Sequence, residues 1–306
     1  MSVKSMLIVL FMIVFFNGCK KNDREIVSKM YPGLEWGFTT QNFIGTTPVS
    51  VESAKEFICY AHDQGFSWME LRDPDASLTL DQCKEIASFA ALKNIGINYS
   101  AQKGLLENDF WDVLYRAVDN TAVFEGPGYC RVLALIDEGE LGWREEEFTR
   151  LVETANKASA IAREKGLRLT VENGATDIDG QGKSYYGFLQ FIEQTDPGIT
   201  LQLDVANLFT GPVPVSSDQA ESFIRKCSSR ISYLHLKSAR DGEPLTILDG
   251  NPLDFKTILS IIHEAEIKYI AIELLSDSSK QKVFENMTSS IDYLEKEGII
   301  FISEKE

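Results

Sequence analysis

Four residues in the second half of the chain, Glu172, Asp204, His235 and Glu273, have the types and the placement to hold a divalent cation. Each falls at or near the end of a short apolar run with the pattern of a β-strand, at 167–173, 199–204, 231–237 and 268–273. Three carboxylates and an imidazole brought together without a counter-charge repel one another and retain part of their protons, whereas a divalent cation makes the same cluster favourable. No thiolate takes part, so the oxygen-rich set suits Mn²⁺, Mg²⁺ or Co²⁺ at least as well as Zn²⁺. The chain has three histidines, and His62 and His263 fall inside helical periods, which leaves His235 as the nitrogen donor.

Such a set needs a scaffold that aims successive strand ends at one point. Beyond residue 33, strand-like and helix-like periods alternate with little interruption. Strands are read at 34–38, 66–72, 95–100, 131–136, 167–173, 199–204, 231–237 and 268–273. Between them apolar residues recur at helical spacing, as in Ala54, Phe57, Ile58 and Ala61, or Phe148, Leu151, Ala155, Ala158 and Ala162. Thr79 and Gln82 form a capping box, and Gly65 and Gly166 stop their helices. Strands alternating with helices imply parallel pairing through right-handed crossovers. Eight such units in ~250 residues predict the α/β class and a (β/α)8 TIM barrel, whose C-terminal strand ends share one mouth. Glu70, Ser100, Asn173 and Lys237 are placed at the same rim. No Walker motif is present, and Gly180-Gln-Gly182 lacks the strand and third glycine of a dinucleotide fingerprint.

With these residues in view the chain resembles the xylose isomerase-like TIM barrels, in particular the sugar phosphate isomerase/epimerase group that includes the ketose 3-epimerases. The resemblance runs from the first strand to the last and is most specific between Val171 and Glu273. Val171-Glu-Asn173 resembles the fifth-strand ligand, Asp204-Val-Ala-Asn207 the sixth-strand element, His235-Leu-Lys237 the seventh and Ile272-Glu273 the last. The segment 250–258, with Asp254-Phe255, is also similar to the family's connection between the last two strands. The resemblance implies one metal ion held by Glu172, Asp204, His235 and Glu273. It further implies that Glu172 and Glu273 act as the acid/base pair on opposite faces of a carbohydrate substrate. A keto oxygen and its neighbouring hydroxyl on a cation acidify the carbon-bound proton and stabilise an enediolate. Glu70, Asn207, Lys237 and Arg240 are expected to bind sugar hydroxyls. Asn207 stands where many members carry histidine, and Ser100 and Gln102 stand where a third-strand histidine is common.

The 306 residues carry 30 basic and 46 acidic side chains, a net charge of −16, which opposes nucleic acid as a partner. The few histidines also separate the chain from the multi-zinc DNA-repair endonucleases of the same superfamily. At the N-terminus Lys4 precedes an apolar run at 6–16, too short for a span of ~20 residues but suited to a signal peptide. It ends in Phe16-Asn-Gly-Cys19, which resembles a lipobox and makes Cys19 the expected lipidation site. The domain reading is therefore a signal peptide at 1–19, a polar tether at 20–33 and the barrel at 34–306, in an extracytoplasmic, membrane-anchored lipoprotein. Cys59, Cys83, Cys130 and Cys227 show no metal-knuckle spacing; they read either as buried thiols or as a set including a Cys59–Cys83 bridge. Two other functions fit the same residues: a lyase or hydrolase acting on a keto-sugar or glycoside, and a carbohydrate-binding lipoprotein without turnover.

Overall fold

The computed structural model describes residues 24–136, 140–174, 178–180, 185–211, 213 and 215–304. The expected signal peptide, Cys19, and residues 175–177 and 181–184 of the loop after the fifth strand lie outside them. Eight parallel strands form the sheet: β1 Glu35–Thr39, β2 Trp68–Arg72, β3 Gly96–Ser100, β4 Tyr129–Leu133, β5 Arg168–Glu172, β6 Thr200–Asp204, β7 Ile231–Leu236 and β8 Tyr269–Ile272. Their order is β3-β2-β1-β8-β7-β6-β5-β4, a barrel closed everywhere except along the β3/β4 seam. There, the Asn98 side chain accepts the Tyr129 amide at 3.0 Å and Glu125 O accepts the Ile97 amide at 2.8 Å. Gly126 permits this approach, since a Cβ would lie 2.4 Å from Ile97 O. The fold is the (β/α)8 TIM barrel read from the alternation of periods.

The main helices that follow the strands are α1 Val51–Gln64, α2 Leu80–Leu92, α3 Phe110–Thr121, α4 Glu145–Glu164, α5 Phe188–Gln194, α6 Ser217–Cys227, α7 Phe255–Glu264 and α8 Lys280–Lys296. Their apolar stripes face the sheet: Ala54, Phe57, Ile58 and Ala61 of α1 are buried, as are Phe148, Leu151, Ala155, Ala158 and Ala162 of α4. The Thr79–Gln82 capping box forms, and Gly65 ends α1 at φ +85, a conformation that favours glycine. Cys83, Cys130 and Cys227 are free and buried, so the Cys59–Cys83 bridge is not made. Burial pushes all three thiols up to about 12, which removes the thiolate and makes them small hydrophobes.

Inside the barrel the first residues of β2, β4 and β8 build a floor. Trp68, Tyr129, Tyr233, Ala271 and Tyr269 pack together, with Trp68 edge-on to Tyr233 and Tyr269 at 5.9 and 5.5 Å. Gly37 is required there because a Cβ would come within 2.8 Å of the Trp68 indole. The floor fills the barrel base, so the polar strand ends at the other face form the working end.

The polar tether expected at 20–33 is partly structured. Residues Arg24–Val27 form a strand antiparallel to Phe301–Glu304, and the Ile26 amide donates to Gly65 O at 2.9 Å. Ile26 and Tyr31 are buried, and the Tyr31 hydroxyl donates to Lys256 O at 2.8 Å. The polar composition of 20–25 concealed a single inward isoleucine, which is enough to seat a short edge ribbon. Gly65 closes α1 just ahead of β2, so the ribbon lies at the base of the barrel, opposite the mouth.

Candidate metal centre

β5, β6, β7 and β8 are neighbours in the sheet in chain order, so their C-terminal ends make one continuous arc of the mouth. Glu172 and Asp204 end β5 and β6, His235 is the penultimate residue of β7, and Glu273 follows β8. One ligand atom from each of Glu172, Asp204 and His235 lies within 4.8 Å of the others, and all three residues are buried. Glu273 approaches from the far side of the arc, with Oε2 2.8 Å from His235 Nδ1 and Oε1 2.7 Å from Lys237 Nζ.

The carboxylates at the ends of β5 and β6 are oriented by residues of the two loops that follow those strands. Asp204 Oδ1 accepts the amides of Ala206 and Asn207 at 2.9 and 3.1 Å. Asn173 clamps the Asp204 backbone, accepting its N–H at 2.7 Å and donating to its carbonyl at 3.0 Å. Asn207 Nδ2 donates to Glu172 Oε1 at 3.4 Å, which gives Asn207 a direct place beside the arc. Lys237 Nζ reaches Asp204 Oδ2 at 3.4 Å as well as Glu273, and its side chain is 12% exposed.

Two buried cations escaped the sequence reading. Arg72 pairs with Glu70 and lies 3.6 Å from Glu273 Oε2, and Arg131 pairs with Glu172 and donates to Gln202 Oε1 at 2.9 Å and Ala101 O at 3.2 Å. The signal was the period of two: Arg72 follows Glu70 by two residues and so shares its inward face. Arg131 was read as the first residue of its strand, whereas β4 runs Tyr129–Leu133 and places it at the centre.

These cations change the electrostatic argument. The acids do not depend on a metal to avoid mutual repulsion, because Arg72, Arg131 and Lys237 lie among them. Burial alone would raise the pKa of Glu70 and Glu273. Arg72, His235 and Arg131 outweigh it for Glu70, and Lys237, His235 and Arg72 for Glu273, so both stay below the usual carboxylate range. Burial would lower His235, but Glu70 and Glu273 hold it above its ordinary value. Burial, with Arg72 nearby, draws Arg131 down to about 10, which leaves it charged at neutral pH.

What does point to an ion is the convergence of donor atoms. His235 Nδ1 and Glu273 Oε2 are both buried and face one another as an ion pair at 2.8 Å. A proton on Nδ1 bridges them in the metal-free protein, and a divalent cation can take that proton's place. Together with the converging oxygens of Glu172 and Asp204, this donor set fits a divalent ion of the Mn²⁺, Mg²⁺, Co²⁺ or Zn²⁺ type.

Two residues expected at the substrate are placed elsewhere. Glu70 is fully buried, with one oxygen at His235 Nε2 and the other at Arg72, and has no surface to offer a sugar hydroxyl. Arg240 is exposed and its guanidinium is engaged by Asp249, with Oδ2 at 2.7 Å and the carbonyl at 3.1 Å, so it is not brought into the arc. Ser100 is buried opposite Arg72 in the β2/β3 register.

A model of the xylose isomerase-like TIM barrel family matches residues 58–296, a span that holds seven of the eight strands and the whole arc. The chain belongs to the xylose isomerase-like TIM barrel family. Solved structures repeat the fold at low identity. A sugar phosphate isomerase/epimerase from Parabacteroides distasonis superposes with a TM-score of 0.62 at 18% identity, covering 87% of this chain and 95% of its own. A D-allulose 3-epimerase from Methylomonas sp., solved with D-allulose, gives 0.63 at 14%, covering 88% and 99%. A xylose isomerase-like TIM barrel protein from Mycobacterium smegmatis, solved with magnesium, gives 0.62 at 16%, covering 86% and 97%. No curated protein matches the chain by sequence.

Proposed function

We propose that this member of the family is a metal-dependent carbohydrate isomerase or epimerase that moves a proton on a carbon next to a carbonyl. The observation that carries the reading is the arc itself: Glu172, Asp204 and His235 converge within 4.8 Å, with Glu273 on the opposite side of His235. Glu172, Asp204, His235 and Glu273 would hold the ion. A bound divalent cation supplies Lewis-acid polarisation of a carbonyl oxygen, which lowers the barrier to enediolate formation. The chain's own part is positioning and proton transfer. Glu172 and Glu273, at the two ends of the arc, are the pair that removes the proton and returns it to the opposite face. Lys237 and the ions around it keep Glu273 as a carboxylate, the form a base needs. Lys237 and Asn207 lie at the open side of the cluster and are the residues proposed to bind substrate hydroxyls. Similarity in fold to a D-allulose 3-epimerase and to an L-ribulose 3-epimerase supports a keto-sugar substrate.

The test pairs elemental analysis of the purified protein with a panel of keto-sugars and glycosides incubated in D₂O. The expected result is one bound divalent ion per chain and a product of unchanged composition carrying deuterium at one carbon. Cleavage of the substrate would favour the lyase or hydrolase reading, and a metal-free protein without exchange would sink the proposal.

We also infer export and lipid anchoring through Cys19, supported by Lys4, the apolar run at 6–16 and Phe16-Asn-Gly-Cys19. Cys19→Ser is expected to move the protein from the membrane fraction to the soluble fraction. An unchanged distribution would remove the anchor.

A further inference from the structure

The ring of His235 is held on its two nitrogens in two different ways. Nε2 makes an aligned hydrogen bond of 2.9 Å with Glu70 Oε2, and both residues are fully buried. Nδ1 faces Oε2 of Glu273, one of the acids of the arc, at 2.8 Å. Glu70 is itself fixed: its other oxygen takes Arg72 Nε and accepts from Thr39 Oγ1 at 3.4 Å. The Arg72 amide, in turn, donates to Thr40 Oγ1 at 2.8 Å. Arginine only donates, and a carboxylate held by Arg72 only accepts, so the Glu70 wall keeps a hydrogen on Nε2, and a hydrogen shared between Nδ1 and Glu273 is the one a metal ion displaces. A neutral imidazole with its hydrogen on Nε2 has its lone pair on Nδ1.

We propose that Glu70 is a positioning residue that keeps the His235 hydrogen on Nε2 and thereby presents Nδ1 to the metal ion. The assignment rests on the metal reading above for its purpose, but not for its geometry. It replaces the expected substrate contact of Glu70 with an outer carboxylate–imidazole pair, an arrangement that orients a ligand and raises its basicity.

Glu70→Gln tests this with little change of shape. Arg72 can only donate, so the amide oxygen turns to Arg72 and the NH₂ group to Nε2. The hydrogen of His235 is then driven onto Nδ1, where it meets Glu273 Oε2 and blocks the ion. Calorimetric titration with Mn²⁺ is expected to show affinity lower by roughly 10–100-fold in Glu70→Gln. Imidazole ¹⁵N spectra, simple for a chain of three histidines, are expected to show Nε2–H in the Zn²⁺-loaded wild type. The metal-free protein at alkaline pH should show the same tautomer, and the variant should show Nδ1–H. Equal Mn²⁺ affinity in the two proteins overturns the assignment while leaving the metal centre intact. A wild type that takes up no Mn²⁺ sinks the metal reading, and its alkaline spectrum still judges Glu70. Nδ1–H in the wild type overturns the proposal even where the variant fails to fold.

Discussion

Glu273→Gln is expected to lower turnover by ~10²–10⁴-fold, the range for loss of a positioned acid or base. Deuterium exchange from D₂O into the substrate should fall with it. The amide keeps the shape and can still accept from Lys237 Nζ, now 2.7 Å from Glu273 Oε1, but it cannot take up a proton. The measurement is kcat for both reaction directions beside the rate of exchange. Turnover within about tenfold of wild type would exclude Glu273 from proton transfer. The carboxylate's depressed pKa sets the pH sense of the control. Because Glu273 lies well below its ordinary value of 4.5, wild-type activity limited by its ionisation should persist through mildly acidic solution.

A second large effect concerns stability. Arg131→Met is expected to cost ~3–5 kcal/mol, because it leaves Glu172 as a buried charge without its partner. Gln202 Oε1 and Ala101 O lose their donor in the same step. Adding Glu172→Gln to Arg131→Met should recover much of the loss, since the stranded charge is then gone. Urea unfolding of the wild type, the single and the double variant measures both. A single variant within about 1 kcal/mol of wild type would mean that water reaches this layer of the barrel and solvates Glu172.

The fold was legible because eight apolar runs alternate with helical stripes, and the arc because Glu172, Asp204, His235 and Glu273 interrupt such runs at one end. Parallel strands buried on both faces announce themselves by continuous hydrophobicity, and a lone polar side chain at their end is conspicuous. Arg72 and Arg131 were not legible on the same ground. A cation inside a strand reads as a solvent-facing residue unless the interior is itself polar, and in this barrel the layer above the aromatic floor is polar. Glu70 was recognised as important and given the wrong surroundings, since sequence spacing places a side chain on a face but not at a depth. The ribbon at Arg24–Val27 was hidden because one buried isoleucine makes no period.

That ribbon has a consequence for how the protein is held. Arg24 and Glu304 stand opposite one another in its register, so both ends of the described chain emerge side by side under the aromatic floor. A support that grips the described chain by either end takes it by the heel. The arc of acids then points away from that support. A short peptide joining the two ends would make a ring that never passes over the mouth.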